Sequence, residues 1–189
     1  DEKHFRFPNL RKMFCPDPGF FLFDVDLAGA DAQVVAWEAE DDDLKAKFRS
    51  GQKIHALNAK DIYGPDAGPD GKRAPYYKKA KMGCHLTNYG GQAKTLSVAC
   101  GMTIHEAEAF QKRWFGLHPG IKTWHNEVMN SLLTTRTVSN KFGFRRRYFG
   151  RLDRTLPEAL AWIPQSTVAL IINNALCNIS EHAELQSLG

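Results

Sequence analysis

The alternation of apolar and polar residues predicts one buried strand near the start of the chain. Residues 20–27 (FFLFDVDL) are rich in aromatic and β-branched residues and run into acids. With a period of two, Asp24 and Asp26 share one face with Leu22, opposite the phenylalanines. The pattern therefore predicts two carboxylates on one face of a strand that Gly29 ends.

Helical spacing of apolar residues accounts for most of the remaining chain. Capping signals mark helix starts at Thr103 with Glu106 and at Thr155 with Glu158, and Pro75 suits the first turn of another helix. In chain order, the pattern predicts helices over about residues 30–48, 54–57, 75–88, 103–115 and 124–133, a turn-rich loop over 63–71, a hairpin over 135–148 with its turn near Ser139-Asn140, and a long helix that Pro164 interrupts. We therefore expect a mostly helical α+β fold.

Length and composition are those of an ordinary globular domain. The 189 residues are 43% hydrophobic and 24% charged, which provides a buried core without disulfides or structural metal. The four cysteines form no C-x-x-C pair, which favours reduced thiols over a zinc site. No apolar run reaches about 20 residues and no signal peptide opens the chain, so we expect a cytoplasmic protein that is not secreted and binds no membrane.

Charge is distributed unevenly along the chain, although the net charge is only +4. Residues 1–70 hold 9 Lys and Arg against 14 Asp and Glu, whereas residues 71–189 hold 16 against 7. Two stretches without acids, residues 71–105 and 128–152, carry six basic residues each. This division is typical of a protein that binds a metal at one place and a polyanion at another, although a solvated surface gives the same balance.

The first candidate site is the acidic end of the predicted strand. A buried carboxylate at Asp26 requires a cation or a hydrogen-bond donor, and Mg²⁺ suits it because this ion binds one or two carboxylates together with water and phosphate oxygens. A salt bridge or a turn acid is the alternative for Asp24 and Asp26. Asp31, at the start of the next helix, is also explained by the helix dipole.

The second candidate site is one face of the helix that begins near Pro75. Lys78, Lys81, His85 and Tyr89 are separated by three, four and four residues, so they share that face. Two ammonium groups, an imidazole and a phenol would bind a triphosphate with a base stacked beyond it. A solvated basic face is the alternative, and Tyr89 argues against it because an aromatic ring has little reason to face water.

The third candidate site is an arginine cluster at the end of the predicted hairpin. Five arginines lie within ten positions next to three aromatic residues: Arg145, Arg146, Arg147, Arg151 and Arg154, beside Phe144, Tyr148 and Phe149. This density favours a surface that contacts the phosphate backbone of a nucleic acid. A solvated hairpin is the alternative.

Five segments of the chain, in order, resemble motifs of the family A DNA polymerases, the bacterial DNA polymerase I type. Residues 23–55 (FDVDLAGADAQVVAWEAEDDDLKAKFRSGQKIH) are similar to the motif A region, and residues 78–97 (KKAKMGCHLTNYGGQAKTLS) to the nucleotide-binding helix of motif B, without a gap. The other matches are Pro8-Asn9-Leu10-Arg11 to a Pro-Asn-Leu segment, residues 142–149 (FGFRRRYF) to a Phe-Gly-Arg-Arg-Arg-Tyr hairpin, and Gln165-Ser166-Thr167 to a segment near the primer–template minor groove. The resemblance covers roughly residues 8–180.

The resemblance implies template-directed DNA synthesis, in which two Mg²⁺ ions assist nucleotidyl transfer from a dNTP to a primer 3′-hydroxyl. Asp26 would bind both ions, while Lys81 would contact the triphosphate and protonate the leaving group. The remaining nucleotide-binding residues would be Asp31, His55, Lys78, His85 and Tyr89. Primer and template DNA would contact Asn9, Arg11, Arg145, Arg146, Arg147 and Gln165.

Three positions depart from the family's pattern. His85 stands where the family usually has Phe or Tyr, and Asp31 stands where it usually has Glu. Tyr77 stands where it usually has an arginine that contacts the triphosphate, so Lys78 or Lys79 would take over that contact.

The resemblance also predicts subdomains. Residues 1–50 would be part of the palm, residues 51–125 the fingers with the nucleotide-binding helix near 75–90, and residues 126–189 the hairpin and return helix to the palm. The family's second metal-binding acid, in a His-Asp-acid motif, has no counterpart in the sequence. We therefore expect a fragment that is inactive without the rest of the polymerase chain.

A non-catalytic nucleic-acid-binding module, or a degenerate polymerase fold, is the competing function. It is disfavoured because Asp26, Lys81 and Tyr89 are all present. A protein that had lost its chemistry would have no physical reason to keep a costly buried acid.

Overall fold

The fold is a succession of helices with one small hairpin before the last of them. The structure, a computed structural model, describes residues 10–67, 74–182 and 184. After a 3₁₀ turn (Leu10–Met13), the elements are α1 (Ala30–Glu38), α2 (Asp42–Arg49), α3 (Ile54–Tyr63), α4 (Ala74–Asn88), α5 (Ala93–Cys100), α6 (Ile104–Leu117), α7 (Pro119–Thr134), β1 (Thr137–Ser139), β2 (Arg145–Arg147) and α8 (Leu152–Glu181). The predicted mostly helical α+β fold is confirmed.

The helices pack around one apolar core, and two glycines allow their close approach. The largest fully buried side chains include Trp114, Leu96, Ile121, Leu132 and Leu160. A Cβ atom at Gly120 would collide with the carbonyl oxygen of Ala39, so α7 can reach the end of α1 only with glycine there. A Cβ at Gly83 would likewise collide with the ring of Phe110, which packs α6 on α4.

The strand predicted over residues 20–27 is wrong. The segment has no regular secondary structure, and Phe21 and Phe23 are more than four-fifths exposed. A strand is stable only when a neighbour takes up its backbone hydrogen bonds, and no described residue pairs with this segment. Asp24 and Asp26 are consequently exposed rather than on a buried face.

The single helix predicted over residues 30–48 is in fact two helices. Between them, Glu40 has a φ of 51°, in the left-handed region, which ends α1. Asp41 then begins α2 because its carboxylate accepts a hydrogen bond from the backbone N–H of Leu44 at 2.9 Å. The run of acids before Leu44 is an N-cap signal that would have located this break.

The last helix begins earlier and is less interrupted than predicted. Arg151 is its N-cap, and Thr155 lies inside the first turns, where its hydroxyl donates to the Arg151 carbonyl at 2.6 Å. The capping box predicted for Thr155 and Glu158 is therefore wrong. Pro164 does not interrupt α8, because it is fully buried and the packing of α8 on α1 and α7 outweighs the proline's cost of roughly 3 kcal/mol.

The hairpin and one capping box are confirmed. β1 and β2 pair antiparallel, and the side-chain oxygen of Asn140 closes the turn by accepting from the backbone N–H groups of Phe142 and Phe144, each at 3.1 Å. The box predicted at the start of α6 is complete. A helix that was not predicted, α5, follows Gly90-Gly91 at once, with Gln92 as its N-cap.

Among the described residues, one helix is long and apolar enough, by length and composition alone, to cross a membrane. It is the segment Arg154–Glu181 of α8, with a mean hydropathy of 1.2 over its most apolar window. The apolar pattern of the sequence did not predict this value, because no uninterrupted apolar run reaches about 20 residues. A single helix of this kind is weak evidence for a membrane span, because core helices of soluble proteins reach the same value.

Candidate nucleotide-binding site

The basic face predicted for α4 is present. Lys78, Lys81 and His85 are all exposed along one side of the helix, while Ala80 and Cys84 on the other side are buried. Residues three or four positions apart lie on the same side of a helix, so this arrangement does not depend on other elements.

Lys79 lies on a different side of α4 from Lys81. Its ammonium group donates to the carbonyl oxygen of Gly101 at 3.3 Å, where α5 ends. Because this contact occupies the ammonium group of Lys79, Lys78 is the better candidate to replace the arginine that the family usually has at position 77. Tyr77 itself lines a groove together with His55.

Tyr89, the residue after α4, joins α4 to α1. Its hydroxyl donates to a carboxylate oxygen of Asp31 at 3.2 Å. Burial and the nearby Asp31 carboxylate both raise the pKa of Tyr89, so the phenol keeps its proton. The His85 ring lies edge-on to Tyr89, with 4.6 Å between ring centroids. Residues predicted from two separate motifs are therefore in contact.

His55 on α3 lines the same cavity as His85 and Tyr89. Burial lowers the pKa of His55, and the nearby charges of Lys81 and His85 lower it further. Its Nδ1 atom is buried and has no hydrogen-bond partner in the described part of the chain. A neutral imidazole with an unused nitrogen therefore lies behind the basic face.

Two helices hold the end of α4 in place through Asn88, which sequence reasoning missed. The indole N–H of Trp114 donates to the Asn88 side-chain oxygen at 2.8 Å, and His125 donates from Nε2 to the Asn88 carbonyl at 2.8 Å. Gln111 on α6 also donates to the carbonyl of Gly91 at 2.6 Å. These contacts join positions distant in sequence, so no local motif indicates them.

Asp26 is not in contact with this cluster. It is exposed in the segment that leads into α1, and no hydrogen bond or ion pair joins it to another described residue. A carboxylate without a partner among the described residues fits Mg²⁺, which takes one or two protein carboxylates and fills its remaining positions with water and phosphate oxygens.

A second acidic group, Asp41, Asp43 and His118, places three potential metal ligands within 4.8 Å of one another. Each already has a protein partner. Asp41 caps α2 and accepts a hydrogen bond from Nδ1 of the fully buried His118 at 2.9 Å, and Asp43 pairs with Lys47 at 2.5 Å. We interpret this group as a structural link between α2 and the start of α7.

The predicted DNA-contacting residues are only partly described. Arg145, Arg146 and Arg147 are exposed along β2, and Gln165 is exposed on α8. Asn9 lies outside the described residues. Arg11 belongs to the 3₁₀ turn at the start of the described chain.

Buried histidines are expected to make stability depend on pH. Burial lowers the pKa of His118 and of His125 below the ordinary value of 6.5. The unfolded chain then binds more protons than the folded chain below about pH 6.5, so the free energy of unfolding falls as the pH falls. The free energy of unfolding of the His125→Gln variant, measured by urea unfolding at several pH values, should depend less steeply on pH than that of wild type. The difference should be up to about 1.4 kcal/mol per pH unit between about pH 6.5 and 5.

The exposed His182 supplies the control for this experiment. Its glutamine variant should unfold with the slope of the wild-type chain. Equal slopes for the His125 and His182 variants would contradict the expected effect of burial.

A basic helix beside an aromatic–carboxylate pair, with an arginine hairpin elsewhere on the surface, is typical of proteins that bind polyphosphates and nucleic acids. The family model described as DNA polymerase family A matches residues 3–188, and the chain belongs to this family.

The relatives of the chain are DNA polymerases. It is 34% identical over 140 residues to the thermostable DNA polymerase I of Thermus filiformis. This match covers 74% of this chain and 16% of that protein. It is 29% identical over 189 residues to the DNA polymerase I of Deinococcus radiodurans, covering 95% of this chain and 19% of that one. The chain thus spans less than a fifth of the length of these two relatives.

A solved structure shows the same fold. It is the POL domain of Pol1 from M. smegmatis in complex with DNA primer-template and dNTP. The TM-score is 0.74 at 20% sequence identity, and the match covers 82% of this chain and 28% of that one.

Proposed function

We propose that this chain provides the nucleotide-binding part of an enzyme for template-directed DNA synthesis. The observation that carries the proposal is the contact of Tyr89 with Asp31 and His85 at the end of the Lys78–Lys81 face. Family membership supports it, as does the similarity of the fold to a polymerase domain in complex with primer-template and dNTP.

The basic face would bind the triphosphate. Lys78 and Lys81 offer ammonium groups that can donate charge-assisted hydrogen bonds to phosphate oxygens. Lys81 is also the candidate general acid, giving a proton to the departing pyrophosphate. The half-buried His55 would donate or accept one hydrogen bond at the phosphates in its neutral form, while the Tyr89 ring would close the pocket beside the base.

Asp26 would hold Mg²⁺, the cofactor that the family implies. When bound, the ions would polarise the phosphoryl group and lower the pKa of the primer 3′-hydroxyl. The family's second acidic ligand has no counterpart in this sequence, so we propose that residues 1–189 do not extend a primer by themselves. The rest of a polymerase chain would be the partner that completes the site.

The DNA would lie against the basic second half of the chain. Arg145 and Arg147 of β2 and Gln165 of α8 are exposed for contacts to backbone or minor groove, and Asn9 and Arg11 would add to them. In this proposal, residues 1–50 belong to the palm, 51–125 to the fingers and 126–189 to the return toward the palm, and the enzyme acts in the cytoplasm.

The test is a chimera in which this chain replaces the matching segment of the Thermus filiformis DNA polymerase I. We expect Mg²⁺-dependent primer extension by the chimera and none by residues 1–189 alone. The Asp26→Ala chimera should lose at least about 1000-fold in rate, because metal binding at the reacting phosphate contributes several kcal/mol. Single-nucleotide incorporation on a primer–template measures both.

Asp24 provides a matched control two residues away. It is also exposed, and its alanine variant should extend primers within about threefold of the parent chimera. Equal activity of the two variants would refute the role of Asp26, and extension by the isolated chain would refute its inactivity. A folded chimera that binds primer–template but never extends it would favour the non-catalytic binding module.

A further inference from the structure

The junction between β2 and α8 carries an exposed aromatic ring among arginines. Phe149 is 88% exposed, the highest value among the exposed large hydrophobic side chains of the described residues. The guanidinium carbon of Arg147 lies 5.8 Å from its ring centroid. A shallow groove of about 420 Å³ runs past both side chains toward Arg151 and Arg154 at the start of α8. We call this surface, defined by Arg147, Phe149, Arg151 and Arg154, the arginine–phenylalanine groove.

The neighbouring aromatic residue, Tyr148, is buried where Phe149 is exposed. Tyr148 is only 5% exposed and lies beneath Arg146, with the guanidinium carbon 4.9 Å from its ring centroid. Arg146 also pairs with Glu158 of α8, so it serves the packing of the hairpin on the helix. Arg147, in contrast, has no ion pair with a described residue. The Arg146–Tyr148 pair therefore packs against the rest of the protein, whereas the Arg147–Phe149 pair faces solvent.

We propose that Phe149 is a stacking platform for an unpaired nucleobase of a DNA single strand, with Arg147, whose guanidinium lies over the ring, contacting the adjacent phosphate. This rests on the proposed function, since a polymerase template has an unpaired strand ahead of the primer end. Positively charged grooves with exposed aromatic rings are how proteins bind single strands, because every base has a π face. A base inside a duplex has both faces covered by its neighbours, and only the two end pairs of a blunt duplex have one free face each, so the Phe149 ring is available mainly to unpaired bases.

The experiment is a binding titration of the full chain with fluorescein-labelled DNA, followed by anisotropy at one low ionic strength. The Phe149→Ala variant should bind a single-stranded oligonucleotide about 5- to 100-fold more weakly than wild type. Binding of a blunt duplex should change by less than about twofold, and Phe149→Trp should bind the single strand like wild type. Phe142→Ala is the matched control on the same hairpin, because Phe142 is 48% exposed but has no cation over its ring among the described residues.

An abasic substitution separates stacking from charge. Replacing bases of the oligonucleotide by abasic sites keeps every phosphate, so wild type should lose affinity while Phe149→Ala should lose little more. Equal single-strand affinities of wild type and Phe149→Ala would overturn the platform, even if duplex DNA and dNTPs still bind as the proposed function requires. Failure of wild type to bind either form of DNA would overturn both proposals.

Discussion

Replacement of Lys81 by alanine is expected to weaken the binding of a Mg²⁺–dNTP complex by about 10- to 100-fold. A hydrogen bond to a charged group contributes about 1.5–3 kcal/mol, and Lys81 is exposed on the face that ends at Tyr89. Isothermal titration of the chain with dATP measures the dissociation constant.

The same variant should raise the pKa of His55, because the charge of Lys81 contributes to the lowering of that pKa. Titration of the His55 ring by NMR would measure that change separately.

Lys79 is the matched control for Lys81. It is two residues away on the same helix, but its ammonium group is held at the Gly101 carbonyl. Its alanine variant should bind dATP within about threefold of wild type. Lys81→Arg should keep most of the affinity, because a guanidinium also donates charge-assisted hydrogen bonds to phosphate oxygens. Equal weakening by the Lys79 and Lys81 alanine variants would mean that only the total charge of α4 matters, and not the predicted face.

Replacement of Trp114 by alanine is expected to lower the free energy of unfolding by about 3–5 kcal/mol. The side chain is 1% exposed, so its loss leaves a large cavity between α6 and α4. The variant also removes the indole N–H that Asn88 accepts, which leaves a buried oxygen without its donor. Urea unfolding followed by circular dichroism measures the change, and the loss should appear as a lower midpoint.

Trp37 provides the control for the size of the side chain. It is 55% exposed on α1, so its alanine variant should cost less than about 1 kcal/mol. Trp114→Phe separates the two contributions, because it keeps most of the volume and loses the hydrogen bond. If the Trp37 and Trp114 alanine variants unfold at the same urea concentration, Trp114 does not have the role in the core that its burial indicates.

Local sequence signals were sufficient for several structures that depend on near neighbours, although the capping box predicted at Thr155 and Glu158 was wrong. The common face of Lys78, Lys81 and His85 follows from helical spacing alone, and the structure shows all three exposed along it. The box at the start of α6 and the turn of the hairpin are also local, since their hydrogen bonds span two to four residues. The order of the motifs was sufficient to identify the family, which the family match over residues 3–188 confirms.

Features that require contacts between distant segments could not be read in this way. The strand predicted over residues 20–27 is absent because strand formation depends on a partner strand, which apolar alternation does not guarantee. Pro164 lies inside α8 because burial against other helices outweighs its intrinsic cost.

The sequence by itself determined the family, through the order of its motifs. It also determined the helical character and the basic face of α4, because these two features depend on spacing within a short segment. Only the tertiary structure decided which residues of that face have partners. The hydrogen bond from Tyr89 to Asp31 spans 58 positions, and the bonds that fix Asn88 span 26 and 37. Such contacts arise when helices pack at specific distances and angles, and the periodicity of one segment contains no information about the position of another.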